Sequence, residues 1–438
     1  MKKTCYVSHQ CPQCGGETVF DQEATGTKCR YCGTALMVVG GRSAWLNFLI
    51  KPKIKVKDTP PEITAIARKN RWKPSLVRSV IPFYYPFYRI RGQAIHWVTG
   101  EKRRDDVRQG ESVEELKTRN FDLMRPGHTD LSTGLFSPGI RAQTLHLFLA
   151  TRENAGGIPF LPMQLSREKF HDRVRHNTTE GFDVSDLFVL EEKTFLIWER
   201  YSILYFPLFL VEIREGEQLR LLLMDAVSGH LVRQIGHQEM ETLLNNLGIG
   251  ESQPPIENRL KLVPLICPEC DGDLQSGTTA VIRFCFNCGR GWESGGSRLQ
   301  ERKCLWAGTE VMVRQEQTIF LPFWRRNAGD GGSVIPAFGV RSPHLLYNIS
   351  KRYYNADFPV ENIPYNCRTS VKTLPAELSP EEAMELMDVV VYTSRKARVE
   401  NRKLDSLVLI PFSRRGPDLV DHYHGLAVPV SGLNVRMS

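Results

Sequence analysis

One cysteine spacing occurs twice in this chain, and it constrains the fold more than any other feature. Cys11, Cys14, Cys29 and Cys32 read C-x2-C-x14-C-x2-C, and Cys267, Cys270, Cys285 and Cys288 read the same. Each C-x2-C knuckle offers two thiolates, and two knuckles joined by a hairpin-length arm close a tetrahedron round one metal ion. The expected ion is zinc, two per chain and structural, with iron the competitor that also suits four thiolates. Four cysteines leave no open coordination position, so the pattern argues against a catalytic metal. Gly15, Gly16 and Gly33 follow the second cysteine of their knuckles, where the backbone must turn its N–H groups toward sulfur. Asp271 stands where the first ribbon has Gly15, and Asp tolerates the left-handed conformation such a turn needs.

With 438 residues the chain has room for two to four domains. Its start, Met1-Lys2-Lys3, runs into Cys5 without an apolar core, which argues against a secretory signal. The most apolar stretch, Thr194 to Ile213, contains Glu199, Arg200 and Pro207, so no membrane-spanning helix is expected. A cytoplasmic location follows, and in a reducing compartment paired cysteines favour metal over disulfides. Cys5, Cys304 and Cys367 fall outside the quartets and read as buried free thiols.

Shorter signatures recur after each quartet in the same order, which reads as a tandem duplication. Ile81-Pro82-Phe83-Tyr84-Tyr85-Pro86-Phe87-Tyr88-Arg89 is matched by Phe320-Leu321-Pro322-Phe323-Trp324-Arg325-Arg326, each an apolar strand with Pro near its start or on an edge. Gly139-Ile140-Arg141 is matched by Gly339-Val340-Arg341, and Leu161-Pro162 by Leu374-Pro375. Tyr205-Phe206-Pro207-Leu208 is matched by Leu409-Ile410-Pro411-Phe412, and each is followed by D-x3-G, a hairpin-turn signal: Asp225 to Gly229 and Asp421 to Gly425. Ser379, Pro380 and Glu382 predict a capping box and a helix to about Lys396, and Thr59, Pro60 and Glu62 predict a second helix to Asn70. The fold class is therefore α+β, each half a ribbon plus a mainly antiparallel sheet with one or two helices. The expected organisation is ribbon 1 over 1–40, a first domain over 41–247, a linker over 248–261, ribbon 2 over 262–300 and a second domain over 301–438. Gly100 to Gly134 has no counterpart in the second copy and reads as a surface excursion.

The net charge of +8 is moderate, but its distribution is uneven. Lys51, Lys53, Lys55 and Lys57 alternate, so an extended strand would carry four ammonium groups on one face. That stripe suits an edge strand protected against pairing, and it also suits nucleic acid or an acidic partner. Arg325 and Arg326 beside Phe323 and Trp324, with Arg414 and Arg415 near Phe412, set guanidinium groups next to aromatic rings, as single-strand sites do. Aromatic residues in a strand are more often core. His422 and His424 fall in the second D-x3-G turn and read as surface residues, as do His171 and His176. No phosphate-loop, dinucleotide, zinc-protease or nucleophile-elbow motif occurs.

The ribbons resemble the rubredoxin-like zinc ribbons of transcription and replication proteins. The larger pattern of CPxCG and CxYCGT, the Pro-Phe-Tyr strand and G-[IV]-R resembles a group of uncharacterised bacterial zinc-ribbon proteins, a resemblance that implies the architecture and no activity. The expected function is a non-catalytic zinc-binding scaffold or adaptor that docks a protein partner, without a small-molecule substrate. The alternative is nucleic-acid binding through Lys51 to Lys57 and the arginine-bearing strand ends.

Overall fold

A computed structural model describes residues 6–40, 46–73, 75–104, 107–128, 146–179, 182–249, 260–274, 279–285, 287–288, 290–295, 298–307, 318–326, 333–361, 372–394, 404 and 406–434. Ribbon 1 comprises β1 (Tyr6–Gln10), β2 (Glu17–Asp21), β3 (Gly26–Lys28) and β4 (Ala35–Val39). The first domain follows with β5 (Leu46–Leu49), α1 (Thr59–Lys69), β6 (Ser75–Arg104), β7 (Val107–Pro126), β8 (His146–Leu149), α2 (Arg152–Ala155) and α3 (Arg167–Thr179). It ends with β9 (Leu187–Glu215), β10 (Gln218–Asp225), β11 (Leu231–Ile235) and α4 (His237–Ile249). Then come β12 (Lys261–Pro264), β13 (Ile282–Phe284), β14 (Gly291–Gly295) and β15 (Arg298–Arg302) of ribbon 2. The second domain holds β16 (Cys304–Ala307), β17 (Thr318–Arg326), β18 (Ser333–Pro336), α5 (Pro343–Tyr353), β19 (Val360–Glu361), β20 (Lys372–Thr373) and α6 (Pro380–Thr393). It closes with β21 (Ser406–Arg415), β22 (Asp418–Asp421) and β23 (Ala427–Pro429).

Two sheets, one in each half of the chain, share a strand plan down to the register. A central strand, β9 or β21, has an antiparallel neighbour on one side, β6 or β17. On its other side lie first a parallel strand, β5 or β16, and then the hairpin strand β10 or β22. Tyr84 faces Pro207 as Phe320 faces Pro411, and Leu49 faces Tyr205 as Trp306 faces Leu409. Backbone bonds outside the ladders repeat as well. Gly127 N–H donates to Pro86 and Ala337 N–H to Pro322, both at 2.9 Å, while Leu161 donates to Tyr84 at 2.9 Å and Leu374 to Phe320 at 3.0 Å. Both D-x3-G turns form: the Asp225 and Asp421 carboxylates accept backbone N–H groups inside the turn, and Gly229 and Gly425 take φ of 77° and 66°. The arrangement is thus α+β and duplicated. Gly139-Ile140-Arg141, Cys5 and Cys367 lie outside the described residues.

Pro207 and Pro411 show how proline enters a central strand. Pro207 and Pro411 sit inside the central strands, where the neighbour changes from β5 to β10 and from β16 to β22. At such a junction no acceptor waits for the N–H that proline lacks, so the strand continues without an unmatched ladder bond.

Past Arg89 and Arg325 the copies diverge. Of the stretch expected as a surface excursion, 100–104 end β6 and 107–126 form β7, the return limb of an arm in which β6 runs on between β7 and an early start of β9. This three-stranded arm reaches the second domain, where Ile95 and Ile197 join the core of Trp324, Leu346, Leu386 and Val390. A bulge opposite Arg91 and Gln93 turns Trp198 out of the ladder with φ 56°. Its N–H donates to the Glu385 carboxylate at 2.6 Å, its indole N–H donates to the Glu382 carbonyl at 2.9 Å, and Arg200 pairs with the Glu382 carboxylate.

Glu382 therefore has two tasks, because it also completes the capping box of α6. The Ser379 N–H donates to its carboxylate at 2.8 Å and the Glu382 N–H donates to Ser379 Oγ at 3.2 Å. α6 starts where the sequence predicts and is described to Thr393. α1 starts one residue earlier than expected: Thr59, the expected cap, is its first residue, and Asp58 holds the cap position. α4 takes in Gly248 and Ile249, the first residues of the expected linker.

Ser379→Ala should cost about 1 kcal/mol, the value of one helix cap. Glu382→Ala should cost roughly 3 kcal/mol, because it also removes the carboxylate that pairs with Arg200, whose side chain is 21% exposed. Urea unfolding measures both, and equal losses would show that the arm contributes nothing through Glu382.

Candidate metal centres

Each quartet is assembled by backbone turns that the sequence specifies. In ribbon 1 the Cys11 N–H donates to the Gly16 carbonyl at 2.9 Å and the Gly15 N–H to the Cys11 carbonyl at 2.9 Å. In ribbon 2 the Cys267 N–H donates to Gly272 at 2.9 Å and the Asp271 N–H to Cys267 at 3.0 Å. Gly15 has φ 73° and Asp271 φ 54°, so Asp does occupy the left-handed position in the second knuckle. The partner knuckles close similarly, Cys29 to Thr34 at 2.9 Å and Cys285 to Arg290 at 3.0 Å.

The sulfurs of each quartet all lie within 4.8 Å of one another. Cys11 and Cys32 are 3.8 Å apart, Cys14 and Cys29 3.7 Å, Cys267 and Cys288 3.6 Å, and Cys270 and Cys285 3.4 Å. A zinc–sulfur bond of about 2.3 Å sets a tetrahedral edge of about 3.8 Å, so both quartets fit a four-thiolate ion. Among the described residues these two quartets are the groups of three or more His, Cys, Asp or Glu that could hold a metal.

Hydrogen bonds and burial pull the thiols of each quartet apart in acidity, with Cys29, Cys32 and Cys270 lowered and Cys14, Cys285 and Cys288 raised. The backbone N–H groups of Cys32 and Tyr31 draw the Cys29 thiol down to about 6, and the Gly272 N–H draws Cys270 down to about 7. Burial pushes Cys288 up to about 12. Metal binding removes the remaining protons, and acid reverses it.

The ribbons are fused side by side. β12, which leads into ribbon 2, pairs with β4 of ribbon 1 from Lys261 opposite Val39 to Pro264 opposite Leu36. Met37 and Val39 pack with Leu265, Cys267, Cys285 and Trp292. Thr25 Oγ1 donates to the Ala280 carbonyl at 2.6 Å and accepts from the buried Arg283 guanidinium at 3.2 Å. The two ribbons therefore share a wall.

The two sites differ in cover. Cys11, Cys29, Cys267 and Cys285 are buried, but Cys14 and Cys32 are exposed where Cys270 and Cys288 are only half-exposed. In ribbon 2, Arg290 joins Glu269 of the opposite knuckle at 2.8 Å and Glu301 of β15 at 3.2 Å. Ribbon 1 has Gln13 and Thr34 at the corresponding positions and no such bridge.

The other expected site residues separate. Lys51, Lys53, Lys55 and Lys57 do not form a strand. The N–H groups of Lys53 and Ile54 both donate to the Ala226 carbonyl at 3.0 Å, and Val56–Asp58 is a 3-10 turn, so the segment bonds to a turn and not to a ladder. The lysines are exposed all the same, with the Lys51 ammonium over the Phe148 ring at 4.1 Å. Phe323, Trp324 and Phe412 are core. Arg326 is buried, 6% exposed, near Ser333 Oγ at 3.4 Å, and Arg325 faces Asp357 at 3.9 Å, so neither offers an open stacking site. His422 lies 2.6 Å from Ser413 Oγ and His424 2.8 Å from the Asp357 carbonyl, each turned to its own partner. His171 faces Glu199 at 3.4 Å. Cys304, expected to be buried, is half-buried. The Glu269–Arg290 bridge escaped the sequence reading because charged residues beside a knuckle carry no pairing signal of their own.

No protein-family model, curated protein or solved structure matches this chain. No helix among the described residues is long and apolar enough to cross a membrane.

Chelator challenge should empty ribbon 1 before ribbon 2, giving two phases of metal release; a single phase for both equivalents would contradict the difference in cover. Acidification should release metal, because protons compete with the ion for the thiolates, and neutralisation should restore it, as a metallochromic dye reads. Cys14→Ser and Cys270→Ser should each destabilise mainly their own half, a result that full stability of both variants in chelator would contradict.

Proposed function

We propose that this chain is a non-catalytic scaffold, held in shape by one structural zinc ion in each ribbon, that docks a protein partner in a reducing cytoplasm. The observation that carries this reading is the closed four-thiolate geometry of both sites, which uses every coordination position for the protein itself. Zinc is favoured over iron because it holds a tetrahedron without redox chemistry, which suits a site built for shape.

The docking element is assigned to the ribbon tips. Tyr31, beside Cys32, is 60% exposed, with the Arg30 guanidinium 4.8 Å over its ring, and Ile266, beside Cys267, is 46% exposed. Tyrosine and arginine are the side chains that most often anchor interfaces, and a metal-fixed knuckle presents them at little entropic cost. The cleft of about 580 Å³ between the arm and the second domain supports a seam and not a substrate site: its Glu114 already accepts from Trp97 at 2.9 Å and from Lys351 at 3.2 Å.

Affinity purification with nuclease treatment should recover a stoichiometric protein partner, and Tyr31→Ala with zinc content retained should weaken that complex by about 2 kcal/mol, some thirtyfold. Undiminished binding by Tyr31→Ala would remove ribbon 1 as the docking element, and turnover of a substrate abolished by a single polar substitution in a folded protein would end the scaffold reading.

A further inference from the structure

The segment from Lys51 to Arg78 holds nine cations, Lys51, Lys53, Lys55, Lys57, Arg68, Lys69, Arg71, Lys73 and Arg78, against two acids, Asp58 and Glu62. Its fold sorts them to one side. Ile54, Ile63, Ile66, Trp72 and Val77 pack down onto Phe209, Val211, Leu222 and Met224 of the β9–β10 sheet. The cations interleaved with them are all exposed. The 3-10 turn, α1 and the start of β6 touch one another, so the exposed groups belong to one continuous layer.

Several basic side chains elsewhere are held in ion pairs. Arg89, Arg200, Arg220, Arg233, Arg290 and Arg302 each have a carboxylate partner. Among the described residues, Lys53, Lys55, Lys57, Arg68, Lys69, Arg71 and Arg78 make no ion pair. Seven unmatched cations on one rigid layer repel one another, and a spaced polyanion relieves that repulsion by displacing its own counterions.

We infer that this layer binds the phosphate backbone of a nucleic acid, without base readout. The inference stands apart from the scaffold reading and its ribbon-tip surface. A membrane fits less well, because stable attachment needs a broad apolar face free to enter the bilayer, and the layer exposes only Val56 and Leu76 while the isoleucines of α1 are spent on the core. The basis also differs from a lysine-striped strand: the lysines lie in a loop, and half of the surface comes from the C-terminal end of α1 and the segment after it.

The test is fluorescence anisotropy of the zinc-loaded full chain with a labelled 20-base single strand and a 20-base-pair duplex, between 50 and 200 mM salt. With about six phosphate contacts, affinity for the duplex should fall roughly a thousandfold across that range. Lys53→Gln, Lys55→Gln, Arg68→Gln and Lys69→Gln combined should flatten the salt slope by about one unit per residue, with zinc content and melting temperature unchanged. Arg414→Gln with Arg415→Gln, exposed in the second domain, should leave the slope as it was. Unaltered binding by the fourfold variant would overturn the proposal, as would binding to phosphatidylserine vesicles without binding to either nucleic acid.

Discussion

Four thiolates gathered within 4.8 Å repel one another until a cation lies between them, and both ribbons are built round that condition. The inner cysteines of each quartet lie in apolar clusters, Cys11 and Cys29 with Phe20, Leu36 and Val38 and Cys267 and Cys285 with Met37, Leu265 and Trp292, and an ion would tie the less buried outer cysteines to them. The ribbons are built into the sheets. β1 of ribbon 1 pairs with β8 and so extends the sheet of the first domain, while β4 pairs with β12 at the entrance to ribbon 2. The candidate metal sites thus lie beside joints where ribbon 1, the first sheet and the entrance to ribbon 2 meet through ladders and packing.

Much of this was legible in the sequence because it rests on local rules. The capping box at Ser379 to Glu382, the D-x3-G turns and the left-handed Asp271 follow from residue type and spacing alone. The duplication was legible because the same prolines and aromatics must recur wherever the same strand changes neighbours. The structure adds the reason: Pro207 and Pro411 are tolerated inside central strands because each lies at a change of partner.

What the sequence hid is non-local. The alternating lysines carry the pattern of a strand, but the amides of Lys53 and Ile54 bond to Ala226, more than a hundred residues away, and no spacing rule reports that competition. Gly100 to Gly134 reads as an excursion because its residues are charged and turn-rich, whereas its neighbours β6 and β9 draw it into an arm. The latch of Trp198 and Arg200 on Glu382 depends on a bulge, and the latch gives the second domain an added support from the first. The candidate metal residues were legible in full, and the candidate contact residues Arg325 and Arg326 were not, because burial of a strand end depends on what the other half of the chain lays over it.

The central claim is that each quartet holds one structural zinc ion with four sulfur ligands. X-ray absorption at the zinc edge, with metal analysis of the purified chain, tests it most directly. The account predicts two zinc ions per chain, each with four sulfurs at about 2.3 Å. A nitrogen or oxygen ligand in either shell, iron in place of zinc, or a fully folded chain without metal would contradict it.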